Sequence, residues 1–180
     1  SSSFYQERAG SYLVDGKKMS TSQLSDFYAS LAKSYPLISL EDPFCEEAFS
    51  DFASLRKRLS GKVQLVADDL TVTNVARLSQ AIECRSLSSL LLKVNQVGTL
   101  SESIAAAMLC RRNGLGVVVS HRSGETEDAS IADIAVGLNC GQIKSGAPCR
   151  AERTAKYNRL LQIEEELPDG SFSRASGIVL

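Results

Sequence analysis

The chain has no tryptophan, one histidine and four prolines, and aromatic residues make up 6% of it. It lacks any apolar stretch near the roughly 20 residues that a membrane helix needs. The opening SSSFYQERAG is too polar for a secretory signal. The five cysteines (Cys45, Cys84, Cys110, Cys140 and Cys149) are odd in number and contain no CxxC pair, which argues against a disulfide framework and against a thiolate zinc site. No charge of one sign accumulates: Lys plus Arg number 20 and Asp plus Glu 21, and the basic pairs Lys17-Lys18, Arg56-Lys57 and Arg111-Arg112 are scattered. A chain without a basic field offers little to nucleic acid or anionic membranes. These absences describe a soluble cytoplasmic protein with reduced thiols. The chain also opens without methionine, as a processed product or an incomplete sequence would.

What is present is an apolar content of 43% in 180 residues, enough to bury one sizeable core. Five short apolar runs each end on an ionisable residue: LISL before Glu41, VQLVA before Asp68, LLL before Lys93, VVV before Ser120-His121, and CGQI before Lys144. Their spacings of 27, 25, 28 and 23 residues are what a strand, a loop, a helix and a return loop consume, so the chain reads as stacked βα units. In parallel α/β folds the C-terminal strand ends converge on the ligand site. Two carboxylates, two lysines and the single histidine should therefore meet at one mouth. Five units do not complete an eight-stranded barrel, which leaves an open sheet or part of a larger barrel.

Between these runs lie helix signals. Ser20 with Gln23 forms a capping box for a helix through Leu24, Phe27, Tyr28 and Leu31, closed by Pro36. Further helices are predicted at about 47–59 with Gly61 as stop, after Thr73-Asn74 as caps, and at 102–112 ending on Asn113-Gly114. Two more are predicted after Thr126 as cap and at 151–167 before Pro168. Asp15-Gly16 reads as a turn in a polar N-terminal stretch.

The strongest local motif is SHRSGETED, Ser120 to Asp128. An imidazole, a guanidinium, a hydroxyl and a glycine within a few positions suit a phosphate or carboxylate at the head of a strand. The plain alternative is a polar loop with a satisfied histidine. Glu41 and Asp68 at neighbouring strand ends could hold a hard cation such as Mg2+ through oxygen ligands, or could simply pair with Lys93 and Lys144. A lysine beside a second cation gives up its proton more readily, which suits Lys93 as a base and Lys144 as the group that holds an anion.

These residues sit in segments that resemble the enolase family: LEDPF (Leu40 to Phe44), VADDLTVTN (Val66 to Asn74), LLLKVNQVGTLSES (Leu90 to Ser103), VVVSHRSGETED (Val117 to Asp128) and GQIKSGAPCRAERTAKYNRLLQIEEEL (Gly141 to Leu167). The resemblance implies an α/β fold, a partial (β/α)8 TIM-type barrel of about five βα units. Residues 1–180 would then be the C-terminal part of a barrel domain whose first strands, and an N-terminal domain, are absent from the chain. It further implies the reversible dehydration of 2-phosphoglycerate to phosphoenolpyruvate, with a Lys base and Mg2+ as in the wider superfamily. By the same resemblance Glu41 and Asp68 are Mg2+ ligands, Lys93 is the base, and His121 lies at the active site beside Ser120. Arg122 and Ser123 hold the phosphate, Lys144 holds the substrate carboxylate, and the complete protein is a homodimer. Ser3 stands where the family usually has glutamate, and Ser171 to Leu180 diverges and takes no role. Two other readings stay open: an enolase-like binding or structural protein without catalysis, and an independent open α/β domain that binds a phosphorylated ligand.

Overall fold

Asp15 and Gly16, with φ of 49° and 74°, make the two-residue turn of an antiparallel hairpin, since positive φ at both positions matches the twist of the flanking strands. The structure, a computed structural model, describes residues 2–167. The hairpin joins β2 (Ser11–Val14) to β3 (Lys17–Met19), and β1 (Tyr5–Gln6) pairs antiparallel with the other side of β2. The sequence pointed to the turn but not to these strands, because Tyr12 is the one apolar side chain they bury deeply. Its ring lies 6.1 Å from that of Phe44, and its Oη accepts a hydrogen bond from the Cys45 amide at 3.1 Å. The small sheet thereby braces the Glu41-Asp42-Pro43-Phe44 loop.

Helix α1 (Thr21–Ser34) starts on the expected capping box: the Gln23 amide donates to Ser20 Oγ at 3.2 Å and the Ser20 amide to Gln23 Oε1 at 2.9 Å. The helix ends before Pro36, whose ring disfavours a helical residue ahead of it. Tyr28 on α1 donates its hydroxyl to the Pro43 carbonyl at 3.0 Å, a second brace on the same loop.

All five apolar runs are strands of one parallel sheet, whose spatial order is the chain order: β4 (Ser39–Glu41), β5 (Gln64–Ala67), β6 (Ser89–Leu92), β7 (Gly116–Ser120) and β8 (Ile143–Lys144). Helices α2 (Phe49–Arg58), α3 (Val75–Glu83), α4 (Val94–Val97), α5 (Leu100–Arg112) and α6 (Ser130–Gly137) fall between them, and α7 (Ala151–Glu166) follows β8. Strand side chains alternate between two faces. Leu65, Ala67, Leu90, Leu92, Val117 and Val119 pack with Phe52, Leu55, Leu78 and Ala106 of the helices. Val66, Leu91 and Val118 form a separate layer on the opposite face. Burial on both faces is why these strands read as unbroken apolar runs.

One contact fixes the shape of the sheet. In a flat sheet the outer strands β4 and β8 would stand about 19 Å apart, farther than a glutamate, a lysine and a hydrogen bond can span. Lys144 Nζ nevertheless reaches both Glu41 oxygens, at 2.8 and 2.9 Å. The sheet is curled, with the Val66 layer inside and the helices outside: half of a (β/α)8 barrel. Among the described residues no helix is long and apolar enough to cross a membrane.

Several helix starts differ from expectation. Asn74 caps α3 by accepting from the Ala76 and Arg77 amides, but Thr73 does not cap; its hydroxyl turns toward Gln96 and Lys93. Helix α5 begins at Leu100, with Thr99 accepting from the Glu102 amide, and the single turn α4 precedes it. Helix α6 begins at Ser130 instead of after Thr126, because Asp128 accepts from the Ser130 amide at 2.9 Å in a turn of its own. Pro168 and the tail Ser171 to Leu180 lie outside the described residues.

Candidate active site

Each strand of the large sheet delivers an ionisable group to the C-terminal rim. Glu41 is the last residue of β4 and Lys144 the last of β8, Asp68 and Lys93 follow β5 and β6 directly, and Ser120-His121 straddles the end of β7. The rim is a connected network. Lys93 Nζ lies 2.5 Å from Asp68 Oδ2, with both side chains largely enclosed, and Gln96 on α4 donates to Asp68 Oδ1 at 3.1 Å. Thr73 accepts from the Lys93 amide at 3.0 Å and donates to Gln96 Oε1 at 2.6 Å, so that loop, strand end and α4 lock together. The pairing of Glu41 and Asp68 with lysines, left open by the sequence, is what the structure shows.

Asp42 is buried in a left-handed conformation, φ 41°, and accepts from the amides of Asp68 and Asp69 at 2.9 and 2.8 Å. It ties the β4 loop to the β5 loop. Burial pushes its carboxyl up to about 6 against the pull of those two amides. Oxygens of Asp42, Asp68 and Asp69 lie within 4.8 Å of one another, an all-oxygen cluster that could hold a hard cation. Glu41, the ligand expected from sequence, stands outside that trio and is turned toward Lys144.

The loop after β7 is held from both sides. The His121 amide donates to the Lys144 carbonyl at 2.9 Å, Ser120 Oγ to the His121 carbonyl at 2.9 Å, and Arg122 Nη1 to Asn95 Oδ1 on α4 at 2.7 Å. From outside, Arg153 of α7 contacts His121 Nδ1 and donates to the carbonyls of Arg122 and Ser123 at 2.8 and 2.9 Å. Glu125 accepts from the Arg122 amide at 2.8 Å and pairs with the fully buried Lys156 at 2.8 Å.

A family model described as "Enolase, C-terminal TIM barrel domain" matches residues 1–177. The chain belongs to that family. It is 58% identical over 172 residues to an enolase of Methanococcus maripaludis, an alignment covering 96% of this chain and 40% of the relative. The corresponding figures are 58% over 166 residues for an enolase of Methanocaldococcus jannaschii, 92% and 38%, and 55% over 167 for one of Pyrococcus furiosus, 93% and 39%. The chain thus spans about 40% of the length of the curated relatives it matches.

Within this enolase barrel the structure brings together all the rim residues that the sequence singled out: Glu41 with Lys144, Asp68 with Lys93, and His121 against the Lys144 backbone. Ser123 lies exposed beside them, positioned through its carbonyl. Sequence reading missed Asp42, Asn95, Gln96, Arg153 and Lys156. Nothing local marks the pair on α7, whose partners lie about 30 residues away in the β7 loop, and α4 carries too few residues for a periodic signal.

The surroundings of His121 predict a pH effect. Burial first, then the Arg153 cation, hold its imidazole below the ordinary histidine range. The unfolded chain therefore binds this proton more readily, so the His121 contribution to stability is complete above the ordinary value of 6.5 and declines as pH falls through it. Asp42, raised to about 6, acts in the opposite direction, its contribution being lost as pH rises through that value. Comparing wild type with His121→Asn isolates the histidine: melting temperature measured from pH 7.5 to 5 should fall less steeply in the variant. Parallel curves would refute the assignment.

Proposed function

We propose that this chain is the C-terminal part of an enolase barrel domain, with the N-terminal domain and first barrel strands lying in the remainder of the protein, and that it supplies the base side of the reversible conversion of 2-phosphoglycerate to phosphoenolpyruvate. The supporting observation is the curled rim, where Glu41, Asp68, Lys93, His121 and Lys144 come from five successive strands to one end of the barrel. The proton to be removed lies next to a carboxylate, so negative charge accumulates on a substrate that already carries a phosphate and a carboxylate. Lys93 takes that proton from its place over the end of β6. Lys144 holds the substrate carboxylate, Arg122 and Ser123 the phosphate, and His121, next to Ser120, donates a hydrogen bond.

The donors at Glu41 and Asp68 are carboxylate oxygens alone, the chemistry that suits Mg2+. A bound Mg2+ would supply positive charge against the substrate carboxylate as electrons move into it. Glu41 and Asp68, which would hold the ion, each bond a lysine, and carboxylate oxygens given to a cation would release part of those bonds and free the Lys144 and Lys93 amines for the substrate. Asp42 keeps the two carboxylate-bearing loops in register. On this reading the complete protein is a homodimeric enzyme of the cytoplasm, a compartment in which its five cysteines would stay reduced.

The test uses the complete protein and follows phosphoenolpyruvate by its ultraviolet absorbance. Removal of divalent cations should abolish the reaction and Mg2+ should restore it. Glu41→Gln should raise the Mg2+ concentration for half-maximal rate by more than about tenfold, beyond the lower bound for losing a mere supporting contact. A cation-independent rate, or an unshifted requirement in the variant, would defeat the reading.

A further inference from the structure

Helix α7 supplies none of the groups assigned above, yet one of its side chains touches three consecutive residues that do the binding. Arg153 Nη1 is hydrogen-bonded to His121 Nδ1 and to the Arg122 carbonyl, and Nη2 to the Ser123 carbonyl. A guanidinium has donors and no acceptor, so the imidazole nitrogen facing it must present a lone pair. With Nδ1 as acceptor, the ring's proton resides on Nε2, the nitrogen on its far side.

Two features hold this arrangement in place. Gly146, with φ +82°, passes so close that an added Cβ would stand 3.2 Å from Arg153 Cδ and 3.2 Å from His121 Cε1. One turn further along α7, Lys156 anchors Glu125 at 2.8 Å and the Thr126 carbonyl at 2.5 Å, and Glu125 in turn holds the Arg122 amide. The charged groups facing His121 are Arg153 and Lys156 from α7, Lys144 from β8 and Glu125 from its own loop, three cations against one carboxylate. The balance opposes a charged imidazole, in agreement with its lowered proton affinity.

We propose that Arg153 is a positioning residue that locks His121 as the Nε2–H tautomer and shapes the Arg122–Ser123 backbone, so that the imidazole offers its single N–H to the phosphorylated substrate. The role assigned to the substrate rests on the enolase reading above; the tautomer does not. Without the guanidinium, both neutral tautomers become accessible and the ring charges more readily. The proton then stands on the wrong nitrogen in part of the population, or the substrate meets an imidazolium whose geometry is no longer held.

The decisive measurement is nitrogen NMR of the complete protein labelled with 15N-histidine, the His121 signals being assigned by their loss in His121→Asn. The wild type should show an unprotonated Nδ1 and a protonated Nε2 near pH 7. Arg153→Met should show mixed tautomers, an acid limb of kcat/KM moved to higher pH, and kcat/KM for 2-phosphoglycerate reduced roughly 10- to 100-fold, the usual range for groups that orient a histidine. Arg153→Lys keeps a donor-only cation without the planar fork, so it should retain the single tautomer while the Arg122–Ser123 backbone is held less well and kcat/KM is only partly recovered. A wild-type Nδ1–H overturns the proposal even if every variant fails to fold. So does Arg153→Met with wild-type tautomer and pH profile. Should the wild-type protein form no phosphoenolpyruvate, the enolase reading fails, while the tautomer result still stands on its own.

Discussion

Lys93→Ala in the complete protein should lower the rate of phosphoenolpyruvate formation by about 10²- to 10⁴-fold, the span attributed to a positioned general base. Exchange of the substrate's C2 proton with deuterated solvent should vanish with it. Lys93 stands at the end of β6 with its side chain 13% exposed, its amide fixed by Thr73 and its ammonium 2.5 Å from Asp68. The backbone from which the side chain springs is therefore held by Thr73 independently of the charge the side chain carries. Two effects could slow Lys93→Ala: loss of the base, or loss of a cation that balances the substrate. Lys93→Arg separates them, since arginine keeps the positive charge but does not release a proton near neutral pH. A base role predicts that Lys93→Arg is about as impaired as Lys93→Ala and equally silent in deuterium exchange. Recovery of exchange in Lys93→Arg would reassign Lys93 to charge balance. An undiminished rate in Lys93→Ala would remove it from the chemistry.

The barrel half was legible in the sequence because both faces of its three inner strands, β5, β6 and β7, are buried. Val66 inside and Leu65 and Ala67 outside make one continuous apolar run, and an ionisable residue marks where that run reaches the rim. Local chemistry was equally legible where a turn or cap is closed by neighbours, as at Asp15-Gly16, Ser20 with Gln23, and Asn74. The sequence was silent where the partner is distant. Tyr12 serves as acceptor to the Cys45 amide 33 positions on, and Arg153 and Lys156 meet the β7 loop across about 30 residues. Thr73 shows a conflict between the two scales. Its spacing suits a helix cap, but Asn74 takes that role and frees the threonine hydroxyl to bond Lys93 and Gln96. A side chain able to satisfy either a local or a long-range partner carries no mark in the sequence of which one it will find.

Lys156→Met should be the most destabilising single substitution in the loop support, costing about 3–5 kcal/mol, the range for breaking a buried ion pair from one side. The lysine is fully buried, and an ammonium has three protons to place. The structure places them on Glu125 Oε2 at 2.8 Å, the Thr126 carbonyl at 2.5 Å and the Glu152 carbonyl at 2.6 Å. Methionine matches the length of the stem but supplies no donor, which takes one donor from each of the two carbonyls and leaves the Glu125 carboxylate with the Arg122 amide as its remaining bond in this network. The uncompensated charge should dominate over the lost packing. The double variant Lys156→Met with Glu125→Gln should therefore be less destabilised than the two single changes together, because glutamine removes the buried charge and can still accept from Arg122. Urea transition midpoints of the complete protein and its three variants measure this coupling. Substrate affinity offers a second, independent measure: a loosened Arg122–Ser123 loop should raise KM for 2-phosphoglycerate more than it lowers kcat, since in the proposed function the loop binds phosphate and takes no proton. Additive midpoints would show that Lys156 and Glu125 do not act as a pair. An unchanged KM in a destabilised Lys156→Met protein would show that Arg153 alone keeps the loop in place.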